Sequence, residues 1–176
     1  MGVIRRQIFP IALVLTLLTM VVLTWVGEPL TTPVAPNGIV SYEFAGSVSR
    51  ARGILNSWGE AGRLHAAFSL GLDFLFIVAY GITIGLACVW AGEILSKVRW
   101  PLSGVGLPLA WGVCLAGVLD GIENVSLAVM LFVNVSSPWP QLAAACAAVK
   151  FTLIALALLY TAYGGLAWVS GLMRIN

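Results

Sequence analysis

The chain has 176 residues, of which 60% are hydrophobic and only 9% are charged. A typical soluble domain is about 25% charged and about 45–50% apolar, and the mean hydropathy of +1.01 lies far on the membrane side of that comparison. These values exclude a water-soluble enzyme and a disordered chain. The net charge of +2 comes from nine scattered basic residues with no run to follow a phosphate backbone, so no nucleic-acid partner is expected. The sequence is that of an integral membrane protein.

Four apolar stretches are long enough to cross a membrane, because a helix needs about 20 apolar residues to span about 30 Å of hydrocarbon. They cover about residues 8–27, 65–92, 104–135 and 141–172. We predict an all-α membrane protein, a four-transmembrane-helix bundle that forms a single membrane domain over residues 1–176. The first stretch follows Arg5 and Arg6 and is too long for the apolar part of a typical signal peptide, which favours a signal anchor.

The basic residues around the spans predict the orientation of the chain. They lie before the first span, between the second and third, and after the fourth, namely Arg5, Arg6, Lys97, Arg99 and Arg174. The short connection at 133–140, on the other side, carries no charge. We therefore expect both termini to be cytoplasmic and the segment at 28–64 to be extracytoplasmic.

The external segment at 28–64 is more than a simple linker. Three prolines and an Asn-Gly dipeptide between residues 29 and 38 are typical of a turn-rich, extended stretch. From about 41 to 58, we predict a short amphipathic helix on the outer membrane interface, with Trp58 as an aromatic anchor. Its apolar face would contain Phe44, Val48, Ile54, Leu55 and Trp58. An irregular loop packed across the bundle is the alternative, since Gly46 and Gly53 weaken a helix.

Four ionisable residues fall inside the predicted spans, namely Asp73, Asp120, Glu123 and Lys150. A charged side chain at membrane depth costs at least about 2.5–3.5 kcal/mol and usually faces a partner or a cavity. With a rise of about 1.5 Å per helical residue, all four can meet in the outer half to the middle of the bundle. Three carboxyls against one ammonium are unbalanced, so at least one carboxyl should be protonated, hydrogen-bonded or bound to a cation.

Helical spacing groups these residues into two polar stripes. Asp120, Glu123 and Asn124 stand at i, i+3 and i+4 and share one face of the third span. The second span has polar residues at spacings of four, four and seven: His65, Ser69, Asp73 and Tyr80. Facing stripes would form an intramembrane polar seam. The candidate ligand-binding or proton-handling residues are Asp73, Asp120, Glu123, Asn124, Lys150, Tyr80, Ser69, His65 and Arg63.

These residues also allow a structural, a metal-binding and a lipid-binding interpretation. In a purely structural one, Asp73 or Glu123 pairs with Lys150 to fix the helix register, while Asn124 cross-links two helices. A metal site is not expected, because the spacing of the acids and His65 matches no metal-binding motif, and no cofactor is predicted. Near the headgroups, Arg63 and His65 are as well suited to an anionic lipid as to chemistry.

Small residues in the spans predict how the helices pack. Two GxxxG patterns occur, one at Gly81 and Gly85 and the other at Gly117 and Gly121. Such surfaces let membrane helices approach closely, so they indicate a compact bundle. The cysteines lie in apolar runs and are expected to be small buried hydrophobes; they are Cys88, Cys114 and Cys146.

Three short segments, SWGEAGRL at 57–64, SLGLDFLF at 69–76 and LDGIEN at 119–124, give the chain a resemblance to a known group. Over about residues 28–135 it resembles a family of small, uncharacterised bacterial integral membrane proteins with four spans. The resemblance implies a bacterial inner membrane and a four-helix bundle. It implies no activity, because that family has none assigned.

Two classes of function remain open. The first is a non-enzymatic membrane protein, either an accessory subunit or a lipid- or small-ligand-binding bundle. The second is an intramembrane enzyme or proton-coupled transporter that uses Asp73, Asp120 and Glu123. The first is favoured because the chain lacks a GxSxG elbow, a P-loop and an HExxH motif. The expected partners are membrane lipids and a protein partner or a second copy of the chain.

Overall fold

The computed structural model describes residues 2–173, which form helices, loops and turns without a strand. Four of the helices are long and apolar enough to cross a membrane, in agreement with the predicted all-helical architecture. They are α1 (Gly2–Gly27), α3 (Val48–Lys97), α4 (Gly106–Phe132) and α5 (Trp139–Met173), with the short α2 (Ile39–Glu43) between the first two. Arg174, which was used to predict the orientation, lies outside the described residues.

The long helices run in alternating directions. α1 packs against α3 alone, whereas α3, α4 and α5 all pack on one another. Thr16 Oγ1 on α1 lies 3.1 Å from Thr83 Oγ1 on α3, and His65 Nδ1 lies 3.1 Å from the Val26 carbonyl. These contacts set the antiparallel register of the pair. α1 therefore lies at the edge of a three-helix core.

α3 is interrupted at Gly59, where φ is 59° and ψ is −164°. Glycine adopts this conformation readily because it has no Cβ. The break divides the helix into an arm (residues 48–58) and a long span (residues 60–97). The arm begins where Ser47 Oγ accepts a hydrogen bond from the Arg50 amide at 3.3 Å, which satisfies one free N–H of the first turn. One side of the arm is buried against the bundle and contains Ala51, Ile54, Leu55 and Trp58.

Trp58 does not anchor the arm in the lipid interface, so that prediction was wrong. Its side chain is only 6% exposed, and its Nε1 donates a 2.8 Å hydrogen bond to the Leu30 carbonyl. The ring also packs edge-on against Tyr42 with centroids 5.2 Å apart. The reason is that residues 28–47, which precede the arm, fold back over it. Phe44 lies outside the arm and stacks on Phe151 instead.

Two apolar cores fill the bundle. The first core lies at the end of the bundle that carries the arm and includes Leu30, Tyr42, Ile54, Trp58 and Leu127. The second core fills the opposite half of the bundle, toward the α3–α4 connection, and includes Cys88, Leu95, Val113, Ala157 and Tyr160. Cys114 was expected to be buried but is exposed on α4, because it faces away from both cores. A group of ionisable side chains lies between the two cores.

Candidate functional site

Lys150, on α5, lies at the centre of a group of carboxyls. Its Nζ donates hydrogen bonds to Asp120 Oδ1 at 2.5 Å and to Glu123 Oε1 at 2.9 Å. It also lies 3.8 Å from Glu43 Oε2. Lys150 is 5% exposed and Glu123 is fully buried. Three carboxyl groups therefore share a single ammonium group in a dry environment.

α3 adds two polar side chains that face α4. Asn124 Nδ2 donates a 2.6 Å hydrogen bond to Asp73 Oδ2, and the Tyr80 hydroxyl donates a 2.9 Å hydrogen bond to Asp120 Oδ2. Asp73 and Tyr80 are seven residues apart, about two helical turns, so both face the same neighbour. We call these side chains the polar cluster; it consists of Glu43, Asp73, Tyr80, Asp120, Glu123, Asn124 and Lys150. Within it, Asp73 and Asn124 form a separate hydrogen-bonded pair beside the groups around Lys150.

The helices place these side chains for simple geometric reasons. Asp120, Glu123 and Asn124 stand at positions i, i+3 and i+4 of α4, so their side chains lie on the same face of the helix. On α5, the fully buried Ala143 and Ala147 precede Lys150 on the same side. Such small side chains let membrane helices approach closely. The position of the Lys150 ammonium is also supported by the Phe151 ring, whose centroid is 5.0 Å from Nζ.

Glu43 was not among the predicted site residues. In the sequence Glu43 falls within the external segment, yet in the structure it ends α2 and turns inward to Lys150. The preceding Tyr42 fixes this direction, since it is fully buried and its hydroxyl donates a 3.3 Å hydrogen bond to the Leu127 carbonyl. A single Glu in the predicted amphipathic helix at 41–58 carries no signal that places it inside the bundle, so the pattern could not have identified it.

Glu43 and Glu123 lack hydrogen-bond partners for one oxygen each. No donor serves either Oε2 atom, although Glu123 Oε2 lies 2.9 Å from Lys150 Nζ. Glu43 Oε2 faces the same ammonium group at 3.8 Å. Burial raises the pKa of Glu43 above its usual value of 4.5, and the nearby Lys150 opposes this only in part. A proton on one of the two carboxyls would complete a hydrogen bond between them.

Three of the predicted site residues lie outside the polar cluster, namely Arg63, His65 and Ser69. His65 contacts the Val26 carbonyl of α1. Arg63 braces the break at Gly59, where its Nε donates a 3.2 Å hydrogen bond to the Leu55 carbonyl. Spacings of four drift around a helix of 3.6 residues per turn, so His65 points about 80° away from Asp73. The predicted stripe therefore does not extend to His65.

Ser69 lies one turn from Asp73 and is buried, but its Oγ has no hydrogen-bond partner among the described residues. It is a neighbour of the polar cluster and is not bonded to it. The cluster also differs from a metal centre. Among the side chains that the structure describes, no three His, Cys, Asp or Glu residues are placed to hold a metal ion, and Lys150 occupies the position between the carboxyls.

No family model matches the chain, and neither a curated protein nor a solved structure matches it. The chemistry of the polar cluster therefore has to be argued from its own geometry. If every group were ionised, four carboxylates and one ammonium would give it a formal charge of −3. The arrangement can bind protons. It can also hold α2, α4 and α5 together through one shared cation, with α3 attached through the bond from Tyr80 to Asp120.

Proposed function

We propose that this chain is a non-enzymatic integral membrane protein whose polar cluster binds protons, and that it acts as a small accessory or ligand-binding bundle. One observation supports this above all: three carboxyls surround the ammonium of Lys150, while a fourth, Asp73, is hydrogen-bonded to Asn124 on the same face of α4. One ammonium neutralises one carboxylate, and each uncompensated buried ion costs several kcal/mol. The bundle therefore needs protons on some of its carboxyls in order to stay folded.

The pair formed by Glu43 and Glu123 is the first place for such a proton. Both carboxyls have an oxygen without a hydrogen-bond donor, and like charges in contact favour protonation of one of them. A proton held there is shared between the segment before the arm and α4. Its loss would leave two adjacent carboxylates and would weaken the attachment of α2 to the bundle.

The surroundings of the cluster favour proton binding over transport. Beyond Tyr80 and Asp120, the second core closes the described part of the bundle with apolar side chains. There α3 and α4 touch so closely that a Cβ at Gly106 would lie 2.5 Å from the Cys88 carbonyl oxygen. A proton-coupled transporter would need a second access path through this region. An intramembrane enzyme would need acids that a substrate can reach, whereas Asp120 and Glu123 are buried.

The test is an infrared measurement of the purified protein in lipid nanodiscs at neutral pH. A carbonyl band from protonated carboxylic acid is expected, and it should shift in D₂O and weaken in Glu43→Gln and Glu123→Gln. Glu60→Gln provides the matched control, because Glu60 is an exposed acid just beyond the arm. If the wild-type protein shows no such band at neutral pH, the proton-binding function is wrong.

We also propose that the protein resides in a bacterial inner membrane with both termini in the cytoplasm. Lys97 at the end of α3 and Arg99 in the α3–α4 connection support this orientation through the positive-inside rule. Single cysteines at the exposed Ser49 and Ser96, in a Cys114→Ala background, test it. An impermeant maleimide added to intact cells should label Ser49→Cys and leave Ser96→Cys unlabelled; the opposite pattern would invert the orientation.

A further inference from the structure

A groove begins at Gly81, next to Tyr80 in the chain, and runs along the half of the bundle that contains the second core. It lies between α1 and α4, with α3 as its floor, and encloses about 420 Å³. Its walls include Ile8, Leu107 and Trp111, and its floor contains Gly81 and Gly85. The groove exists because α1 packs against α3 alone, which leaves a space beside α4.

The glycine floor is open. A Cβ added at Gly81 or at Gly85 would meet nothing within 4 Å. The GxxxG pattern at these positions was predicted to bring helices together, and within the described chain it does not. These glycines instead lower the floor of the groove, so that an apolar ligand can lie along α3.

The groove continues into a polar pocket at the end of the bundle. The two share Val89 and Leu107, and the polar pocket adds Lys97, Ser96 and Ser103. Arg5 lines the groove near this junction and lies 3.4 Å from Glu93. Glu93 offsets only one of the two basic side chains, so the junction keeps a positive charge. The first turn of α4, which borders it, has no side-chain cap.

The dimensions fit within one lipid leaflet. On α3 the groove is lined from Gly81 to Val89, a rise of about 12 Å, which is less than half of the roughly 30 Å hydrocarbon thickness. An apolar channel of this length that ends at basic and hydroxyl side chains is complementary to a phospholipid. Basic pockets between membrane helices bind anionic headgroups. A helix from another protein would not need Lys97 and Arg5 at one end.

We propose that this groove is a binding site for an anionic phospholipid. One acyl chain would lie over Gly81 and Gly85, and the phosphate would lie between Arg5 and Lys97, near the start of α4. The site is separate from the polar cluster and does not depend on proton binding. Lipid binding would give a role to Gly81, Gly85 and Arg5, none of which takes part in the proposed function.

The first test compares lipids by native mass spectrometry of the full chain in detergent. Phosphatidylglycerol should bind in preference to phosphatidylcholine, and Arg5→Gln combined with Lys97→Gln should reduce that preference roughly fivefold or more, given the strength of single basic contacts with anionic lipid. Arg50→Gln, which removes an exposed charge from the arm, should retain it. Equal binding of the two lipids by the wild-type protein would overturn the proposal.

The second test fills the groove. Gly85→Leu should lower the binding of phosphatidylglycerol because the new side chain occupies the acyl position. Gly165→Leu is the matched control, since Gly165 is an exposed glycine in α5 that also has nothing within 4 Å of its Cβ position. If both variants bind lipid like the wild type, the groove does not hold lipid. If Gly85→Leu changes only the oligomer mass, a second copy occupies it and the lipid proposal is wrong.

Discussion

Glu43 lies in the segment between the first two spans, yet its Oε2 is 3.8 Å from Nζ of Lys150 in the fourth. This contact joins the five-residue helix α2 to the polar cluster. A change in the ionisation of the carboxyls around Lys150 therefore changes how strongly α2 is attached to the bundle. The segment at 28–58 is in this way part of the bundle and more than a connection.

Replacement of Lys150 by Met should strongly destabilise the protein. The variant keeps most of the side-chain volume but leaves Asp120, Glu123 and Glu43 without their shared cation. Breaking a buried ion pair by removal of one partner costs about 3–5 kcal/mol. Unfolding of the purified variant in mixed micelles with increasing SDS, followed by circular dichroism, measures the loss.

Lys97→Met is the control for this experiment, because Lys97 is exposed and should contribute little. The combination of Lys150→Met with Asp120→Asn and Glu123→Gln should recover part of the loss, since fewer carboxylates then need neutralisation. An unchanged unfolding curve for Lys150→Met alone would show that the ammonium does not stabilise the cluster.

The stability of the bundle should depend on pH through Glu43. Burial raises the pKa of this carboxyl in the folded protein above 4.5, so the folded state holds a proton that the unfolded state loses first. The stabilisation is therefore complete below about pH 4.5 and is lost as the pH rises toward the folded pKa. For one proton the slope is at most about 1.4 kcal/mol per pH unit.

The measurement is the midpoint of SDS unfolding at a series of pH values. Glu43→Gln should give a flatter profile than the wild type, because the amide stays neutral at every pH. Glu28→Gln, at an exposed acid of the same segment, should keep the wild-type slope. A profile for Glu43→Gln that coincides with the wild type would show that Glu43 does not titrate in this range.

The sequence predicted most of the polar cluster because its members follow helical spacing. Asp120, Glu123 and Asn124 share a face of α4, and a carboxyl in an apolar span needs a partner such as Lys150. Glu43 could not be found in this way. Its position depends on how α2 folds against α4 through Tyr42, which is a tertiary contact between residues far apart in the chain.

The glycine patterns show a second limit of the sequence. Of the four glycines in the GxxxG patterns, only Gly117 is tightly packed, with its Cβ position 3.3 Å from Ile77 Cγ2. The closest helix contacts occur elsewhere, at Gly106 against Cys88 and at Gly164 against Ala91. Spacing identifies surfaces that permit close approach, but the rotation of each helix decides which of them is used.

Replacement of Trp58 by Phe should show that the arm is part of the folded core. The phenyl ring keeps most of the apolar contacts but removes the hydrogen bond to the Leu30 carbonyl. A buried acceptor left without a donor costs about 1–3 kcal/mol. Trp25→Phe is the control, because Trp25 is 75% exposed. Equal unfolding midpoints for the two variants in SDS would mean that the arm detaches from the bundle before the spans unfold.

Replacement of Gly106 by Ala should separate α3 from α4 at the far end of the bundle. The new methyl group would lie 2.5 Å from the Cys88 carbonyl oxygen and 3.2 Å from the Gly92 Cα, and these backbone atoms cannot move aside without shifting a helix. Overpacking of this kind costs about 1–3 kcal/mol. In the same helix, Gly121→Ala places its Cβ where nothing lies within 4 Å and should be neutral or stabilising by up to about 1 kcal/mol through helix propensity. Thermal unfolding of both variants in nanodiscs measures the difference, and a Gly121→Ala protein less stable than Gly106→Ala would contradict the position of the α3–α4 contact.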